Sequence, residues 1–355
     1  MRMKTIPSLL ADWYRTNGRD LPWRGTSDPY KIWVSEIILQ QTQVVQGLPY
    51  YLAFIQTYPT VADLAEAPVE EVLKLWQGLG YYSRARHMHR AARTVVEQWH
   101  GRFPQTPEEL RMIPGIGPYT AAAVASFAFK VPAPAVDGNV CRVVARCIGL
   151  TDPVDTASGR KKVEETARGW MASVEPDLFN QAIMDFGAMQ CVPAAPRCDV
   201  CVLRDLCVAF KAGLVAELPA KKMRPKVRDR YFSYIVVSCG DTYYLQQRDG
   251  KDIWRGLFEF PLIETAGETS WERLPETEAW QRWFRGTVPT VSSEVHACMH
   301  QLTHQRLHVQ FVRVTVDAAP RGDAGWLAVR REDLGRYAVP RVIDRYLQTI
   351  AADSF

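Results

Sequence analysis

The sequence predicts a multi-domain protein in which an all-helical domain is followed by a smaller α+β domain. Three features point that way. From about residue 5 to 215 apolar residues recur at helical spacing between short loops marked by Pro and Gly, and no convincing strand appears. A basic stretch over 221–230, KKMRPKVRDR, then interrupts the periodicity and reads as a linker. Beyond it, β-branched and aromatic residues gather into short runs. A chain of 355 residues is also longer than one core comfortably fills. The expected division is a helical domain over 1–219, a linker over 220–230 and a second domain over 231–355.

In chain order, a helix over 32–45 is signalled by the apolar stripe Trp33, Val34, Ile37, Ile38, Val44 and Val45. Further helices are expected over 69–76, 84–100, 107–112, 120–129, 140–148, 160–174 and 179–189. The start at 107 is well marked, with Thr106 as N-cap, Pro107 in the first helical position and Glu109 completing a capping box. Strands are expected over 231–237 and 243–247. Leu307, Val309 and Phe311 alternate, then Val312, Val314 and Val316 resume out of phase, as in a bulged strand. A helix over 341–350 closes the second domain.

A hydrophobic fraction of 47% with 23% charged residues is that of a folded protein and argues against disorder. The net charge of +4 permits a polyanionic partner without demanding one. Residues 1–24 lack the apolar core of a signal peptide and carry Asp12, Arg15, Arg19 and Asp20. No run approaches the roughly 18–20 apolar residues of a membrane span, so an intracellular, cytoplasmic protein with no membrane partner is expected; a monomer is expected as well. In a reducing compartment eight cysteines need an explanation other than disulfides. Cys141, Cys147, Cys239 and Cys298 read as small buried apolar residues. The other four form the run Cys191-x6-Cys198-x2-Cys201-x5-Cys207. Four close thiolates can wrap Zn²⁺ or a [4Fe–4S] cluster, and the spacing lacks the two separated C-x2-C pairs usual in a zinc ribbon, which favours iron–sulfur.

Two further motifs carry chemistry. In Leu110-Arg-Met-Ile-Pro-Gly115-Ile-Gly117-Pro-Tyr119-Thr120, two glycines allow a tight turn with exposed amides at the start of a helix, a hairpin suited to phosphate binding without sequence reading. Glu36 sits amid Ile37, Ile38 and Leu39, where apolar surroundings raise a carboxyl pKa. Asp137 opens a helix whose dipole and amides favour the ionised form. An acid and an anion together are the pairing that glycosidic cleavage requires.

The hairpin, the Val136-Asp137-Gly138-Asn139-Val140 stretch and the cysteine run together resemble the endonuclease III superfamily of base-excision glycosylases. Within it, Trp33-Val-Ser-Glu36-Ile-Ile-Leu-Gln40-Gln41-Thr-Gln43-Val44, Gly78-Leu79-Gly80-Tyr81-Tyr82-Ser83-Arg84 and Asn180-Gln181-Ala-Ile-Met-Asp185 resemble the adenine-specific MutY branch. The C-terminal part is more loosely similar to that branch's NUDIX-like domain, chiefly through Ile253-Trp-Arg-Gly-Leu-Phe-Glu-Phe-Pro261.

The resemblance implies double-stranded DNA carrying adenine opposite 8-oxoguanine or guanine as substrate. Glu36 would protonate adenine N7, and Asp137 would stabilise the oxocarbenium-like sugar. Asn139 would orient Asp137 or the water, and Tyr119 would assist the cationic transition state. Related bifunctional enzymes carry a nucleophilic lysine where Tyr119 stands. A phenol forms no Schiff base, so strand cleavage by β-elimination is not expected. The adenine must leave the stack. Gln41, Tyr81 and Leu79 resemble the residues wedged into the duplex, and Trp23, Arg24 and Gln181 resemble the adenine pocket. In the second domain, Glu259, Glu264, Glu268, Glu272, Glu276 and Glu278 form no Arg-Glu-x2-Glu-Glu helix, so recognition rather than Mg²⁺-dependent hydrolysis is expected. The family's Phe-Ser-His loop corresponds to Leu302-Thr303-His304, which keeps a hydroxyl and an imidazole, on Thr303 and His304, but not the aromatic ring.

Overall fold

The computed structural model describes residues 5–222, 227–250, 252–320 and 325–352. Positions 223–226 of the expected linker lie outside them. The chain forms two compact units, one from Met1–Ala67 with His87–Met223, the other from Pro68–Arg86 with Arg224–Phe355. Among the described residues no helix is long and apolar enough to cross a membrane.

The first unit is helical, and its core is organised around the helix Gly138–Ile148. Val140, Val143, Val144 and Cys147 recur at helical spacing and are buried with Phe179, Ile183 and Phe186 of the helix Pro176–Met189. Leu10 and Trp13 of the helix Ile6–Asn17 complete this core, Trp13 meeting Phe186 edge to face at 5.1 Å.

The single helix expected over 32–45 is two. The helix Pro29–Leu39 stops, Gln41 takes a left-handed φ of 57°, and a second helix runs over Val44–Thr57. The apolar stripe misled at its end, since Val45 is 86% exposed. The second helix folds back closely on the first at Gly47, where a Cβ would stand 2.9 Å from Leu39 Cδ2. Thr106 caps the helix Pro107–Leu110 as expected, accepting from the Glu109 amide, and its hydroxyl donates to the Glu109 carboxylate at 2.8 Å.

The second unit contains a seven-stranded mixed sheet among the described residues: β1 (Arg228–Cys239), β2 (Thr242–Gln247), β3 (Phe258–Glu259), β4 (Leu262–Thr265), β5 (Thr290–Gln301), β6 (Gln305–Thr315) and β7 (Leu327–Arg330). The order is β3-β2-β1-β6-β5, with β4 paired to β1 and β7 to β2. The expected bulge in β6 is absent. Its parallel register with β1 runs unbroken from Arg228↔Gln305 to Ser238↔Thr315, and the register shift lies instead in β5, between Val291 and Val295. The change of phase marks a change of buried face. Leu307, Val309 and Phe311 pack under the helix Arg341–Ala352, whereas Val312, Val314 and Val316 face Trp280 and Trp283 on the other side of the sheet. The segment Pro68–Arg86 is held in this unit by Tyr82 Oη donating to Val339 O at 3.2 Å, Gln77 Nε2 to Asp344 Oδ1 at 2.6 Å and Arg341 Nη1 to Gly78 O at 2.9 Å.

Candidate active site

A cavity of about 450 Å³ in the first unit is lined by Glu36, Tyr119, Asp137 and Asn139, together with Trp23, Arg24, Gln181 and Arg142. Three separate elements meet there. Glu36 comes from the helix Pro29–Leu39 and Tyr119 from the first turn of Pro118–Phe129. Asp137 is the N-cap of Gly138–Ile148. The extended approach to Asp137 is held by buried Asn180, which accepts from the Ala135 amide at 3.0 Å and donates to Ala133 O at 2.9 Å.

The Glu36 carboxyl is pushed up to about 7, chiefly by burial and also by the nearby Asp137 charge, against the Tyr119 hydroxyl and Arg24, which pull it down. Tyr119 Oη donates to Glu36 Oε2 at 2.6 Å, so the phenol is engaged with the acid. Asp137 behaves differently from the expectation. Its carboxylate accepts from the Val140 amide at 2.7 Å and from Asn139 Nδ2 at 2.8 Å, but burial outweighs these bonds and its pKa is raised. The two acids are therefore not pushed apart by opposite environments. Both rise, and the hydrogen bonds on Asp137 oppose that rise.

Arg142, which carried no signal beyond being a cation in an apolar helical stripe, links this pair to the cysteine loop. Its guanidinium donates to Asn139 Oδ1 at 2.8 Å, to Gly187 O at 2.6 Å and to Cys191 O at 2.7 Å. Buried Arg146, one turn on, donates to Cys191 Sγ at 3.4 Å and Val192 O at 2.9 Å. Cys191, Cys198, Cys201 and Cys207 line one small cavity walled by Phe186, Leu203 and Phe210. Cys147, expected to be an inert buried thiol, lines it too. Burial raises the Cys201 thiol to about 11, while a bond from Cys147 lowers Cys207 to about 6. Among the described residues no three His, Cys, Asp or Glu side chains converge tightly enough to grip a single metal ion. Of the five cysteines around this cavity, the four of the run 191–207 fit a group that takes four sulfur ligands.

Trp23 is buried against Tyr51, with ring centroids 4.9 Å apart, and Arg24 and Gln181 stand at the cavity wall. Gly115 has φ +84°, and a Cβ there would lie 2.9 Å from His87 Cβ, so the turn requires it. Gly117 does not share that requirement: its φ is −83° and a Cβ would meet nothing within 4 Å. Gln41 is exposed on the turn after Pro29–Leu39 and does not line the cavity.

In the second unit Tyr81 is 46% exposed with φ +48°, whereas Leu79, expected beside it at the surface, is buried. The Tyr81 hydroxyl is hydrogen-bonded to Thr303 Oγ1, in the tight connection between β5 and β6 that also exposes His304. Of the acids in this unit, Glu259 is buried and clasped by Arg248 at 2.8 and 2.9 Å, and Glu264 pairs with Arg230 at 2.7 Å. Glu268, Glu272, Glu276 and Glu278 are exposed, Glu272 and Glu276 on the short 3-10 helix Trp271–Glu276 and the other two outside it.

Comparison with known proteins agrees with both halves. Residues 34–172 match the HhH-GPD superfamily of base excision DNA repair proteins, and residues 233–349 match the NUDIX domain. The adenine DNA glycosylase of Buchnera aphidicola subsp. Schizaphis graminum is 31% identical over 314 residues, covering 87% of each chain. That of Mus musculus is 33% identical over 371 residues, covering 89% of this chain and 72% of its own. Among solved structures, a thermostable thymine-DNA glycosylase is similar with a TM-score of 0.54 at 32% identity, over 58% of this chain and 95% of that one. A trapped endonuclease III–DNA covalent intermediate is similar with a TM-score of 0.51 at 25% identity, over 59% and 95%.

Proposed function

The chain belongs to the adenine DNA glycosylase family, as an N-glycosidic hydrolase of base excision repair, and we propose that it excises adenine mispaired with 8-oxoguanine or guanine in double-stranded DNA. The observation that carries this reading is a protonatable Glu36, raised to about 7, sharing one cavity of about 450 Å³ with Asp137. Glu36 gives its proton to the purine ring, so the base departs neutral rather than as an anion. The Asp137 carboxylate, oriented by Asn139 and the Val140 amide, stabilises the positive charge that develops on the sugar before water adds at C1′. Tyr119 sets the acidity of Glu36 and offers no amine for a Schiff base, so the enzyme is monofunctional.

The amides around Gly115 and Gly117 hold backbone phosphate. Gln41 of the first unit enters the duplex where the adenine leaves the stack, and in the second unit Tyr81 contacts the duplex and Thr303 with His304 reads the opposite base. Cys191, Cys198, Cys201 and Cys207 would hold a [4Fe–4S] cluster. Bound there, such a cluster would tether the loop 191–207, since breaking a glycosidic bond involves no net oxidation or reduction.

Single-turnover excision from A:8-oxoguanine, A:G and thymine-glycol duplexes tests the reading. Adenine should be released from the first two, strands should break only after alkali, and borohydride should trap no adduct. Glu36→Gln and Asp137→Asn should each bind the duplex yet lose excision by several orders of magnitude. Near-native excision by either variant would falsify the assignment of that residue.

A further inference from the structure

Tyr14 lies in the helix Ile6–Asn17 and does not line the cavity, but it touches two residues that do. Its oxygen is 3.0 Å from Arg24 Nη1 and 2.6 Å from Gln181 Oε1. Chemistry fixes the direction of both bonds. A guanidinium has only donors, so the Tyr14 oxygen accepts from Arg24, and its single proton is left for Gln181. Arg24 cannot easily turn away, because it also grips both oxygens of fully buried Asp185 at 2.5 and 2.7 Å. Arg19 holds the same carboxylate from the other side. The phenol keeps its proton, since burial raises its pKa. The relay therefore runs Asp185, Arg24, Tyr14, Gln181. It leaves Gln181 Nε2 with no hydrogen-bond partner among the described residues, on a side chain that lines the same cavity as Glu36 and Asp137.

We propose that Tyr14 is a positioning residue for base selection: by donating to Gln181 Oε1 it locks the carboxamide in one of its two flip states, presenting a donor and an acceptor in fixed order to the purine. This rests on the adenine reading above. A carboxamide can pair with the Watson–Crick edge of adenine at two points, its N–H₂ to N1 and its oxygen to the exocyclic N6–H, which leaves N7 to Glu36. Gln181 Oε1 has a second lone pair for that purpose after accepting from Tyr14. On that edge hypoxanthine has an N1–H donor and an O6 acceptor where adenine has an N1 acceptor and an N6–H donor, so it reverses the pattern. A carboxamide free to flip would suit either base, and one held by Tyr14 suits only the 6-amino purine.

The test is single-turnover excision from duplexes carrying adenine or hypoxanthine opposite 8-oxoguanine. The wild type should prefer adenine, and Tyr14→Phe, which keeps the ring, should reduce the adenine-to-hypoxanthine rate ratio by about five- to tenfold, the effect of one neutral hydrogen bond. Gln181→Leu should lower the ratio as well, and adding Tyr14→Phe to it should change nothing further, because Tyr14 acts only through that amide. Equal loss on both substrates, or a further drop in the double variant, overturns the inference. A wild-type protein that leaves adenine in place removes the proposed function and this inference with it. Normal adenine excision with an unmoved ratio removes the inference alone.

Discussion

Tyr119→Phe deletes one oxygen from the pocket and leaves the ring in place. In the native chain that hydroxyl donates to Glu36 Oε2 at 2.6 Å, and it pulls down a carboxyl that burial has pushed up to about 7. A hydrogen bond to a charged group contributes about 1.5–3 kcal/mol. One pKa unit corresponds to about 1.36 kcal/mol, so losing the donor should raise the Glu36 pKa by roughly one to two units. The sign follows from the role: the protonated acid is the active form, so excision is present below its pKa and declines as pH rises through it. The native single-turnover rate should decline through about pH 7. In the variant the same decline should begin at a higher pH, whatever happens to the height of the plateau. Adenine release measured across neutral and alkaline pH on an A:8-oxoguanine duplex reads this directly. A basic limb that stays where it was, or moves toward acid, would refute the claim that Tyr119 tunes Glu36.

Other expectations rest on single contacts. Gly115→Ala should lower thermal stability by about 1–3 kcal/mol, since φ is +84° and His87 stands 2.9 Å from the new methyl. Gly117→Ala should melt like the native chain and yet bind duplex more weakly if phosphate approaches that open position; an unchanged Kd would take phosphate binding away from this turn. Arg142→Gln should cut excision about tenfold or more, the value of charge-assisted bonds to Asn139 and the Cys191 carbonyl, with duplex affinity altered less. Purified protein should be brown with about four irons per chain. Cys198→Ser should lose iron and weaken DNA binding or folding, and full affinity in an iron-free preparation would contradict the structural role of the loop. Thr303→Val should erode the preference for A:8-oxoguanine over A:G while sparing the A:G rate, because Thr303 Oγ1 meets Tyr81 and lies far along the chain from Glu36 and Asp137.

Much of the molecule was legible in the sequence because its signals are local. Helical periodicity, the Thr106 and Asp137 caps, the cysteine spacing and the switch to alternating strands each depend on residues a few positions apart. Composition and pattern therefore sufficed for two fold classes in order and for Glu36 and Asp137 as candidate acids. Periodicity failed where tertiary packing overrides it: at Gln41, where the chain turns back so that Gly47 can approach Leu39, and in β6, where two cores share one strand.

What only the tertiary structure decided is every relation between residues distant in the chain. The pairing of Tyr119 with Glu36, the span of Arg142 from Asn139 to Cys191, and the relay from Asp185 through Arg24 and Tyr14 to Gln181 join residues up to 167 positions apart. The affiliation of Pro68–Arg86 with the strand-bearing unit is of the same kind. The upward shift of Asp137 shows why such relations escape the sequence. A helix N-cap promises a stabilised anion, but the net effect depends on how much water the surrounding elements exclude, and desolvation is a property of the assembled fold.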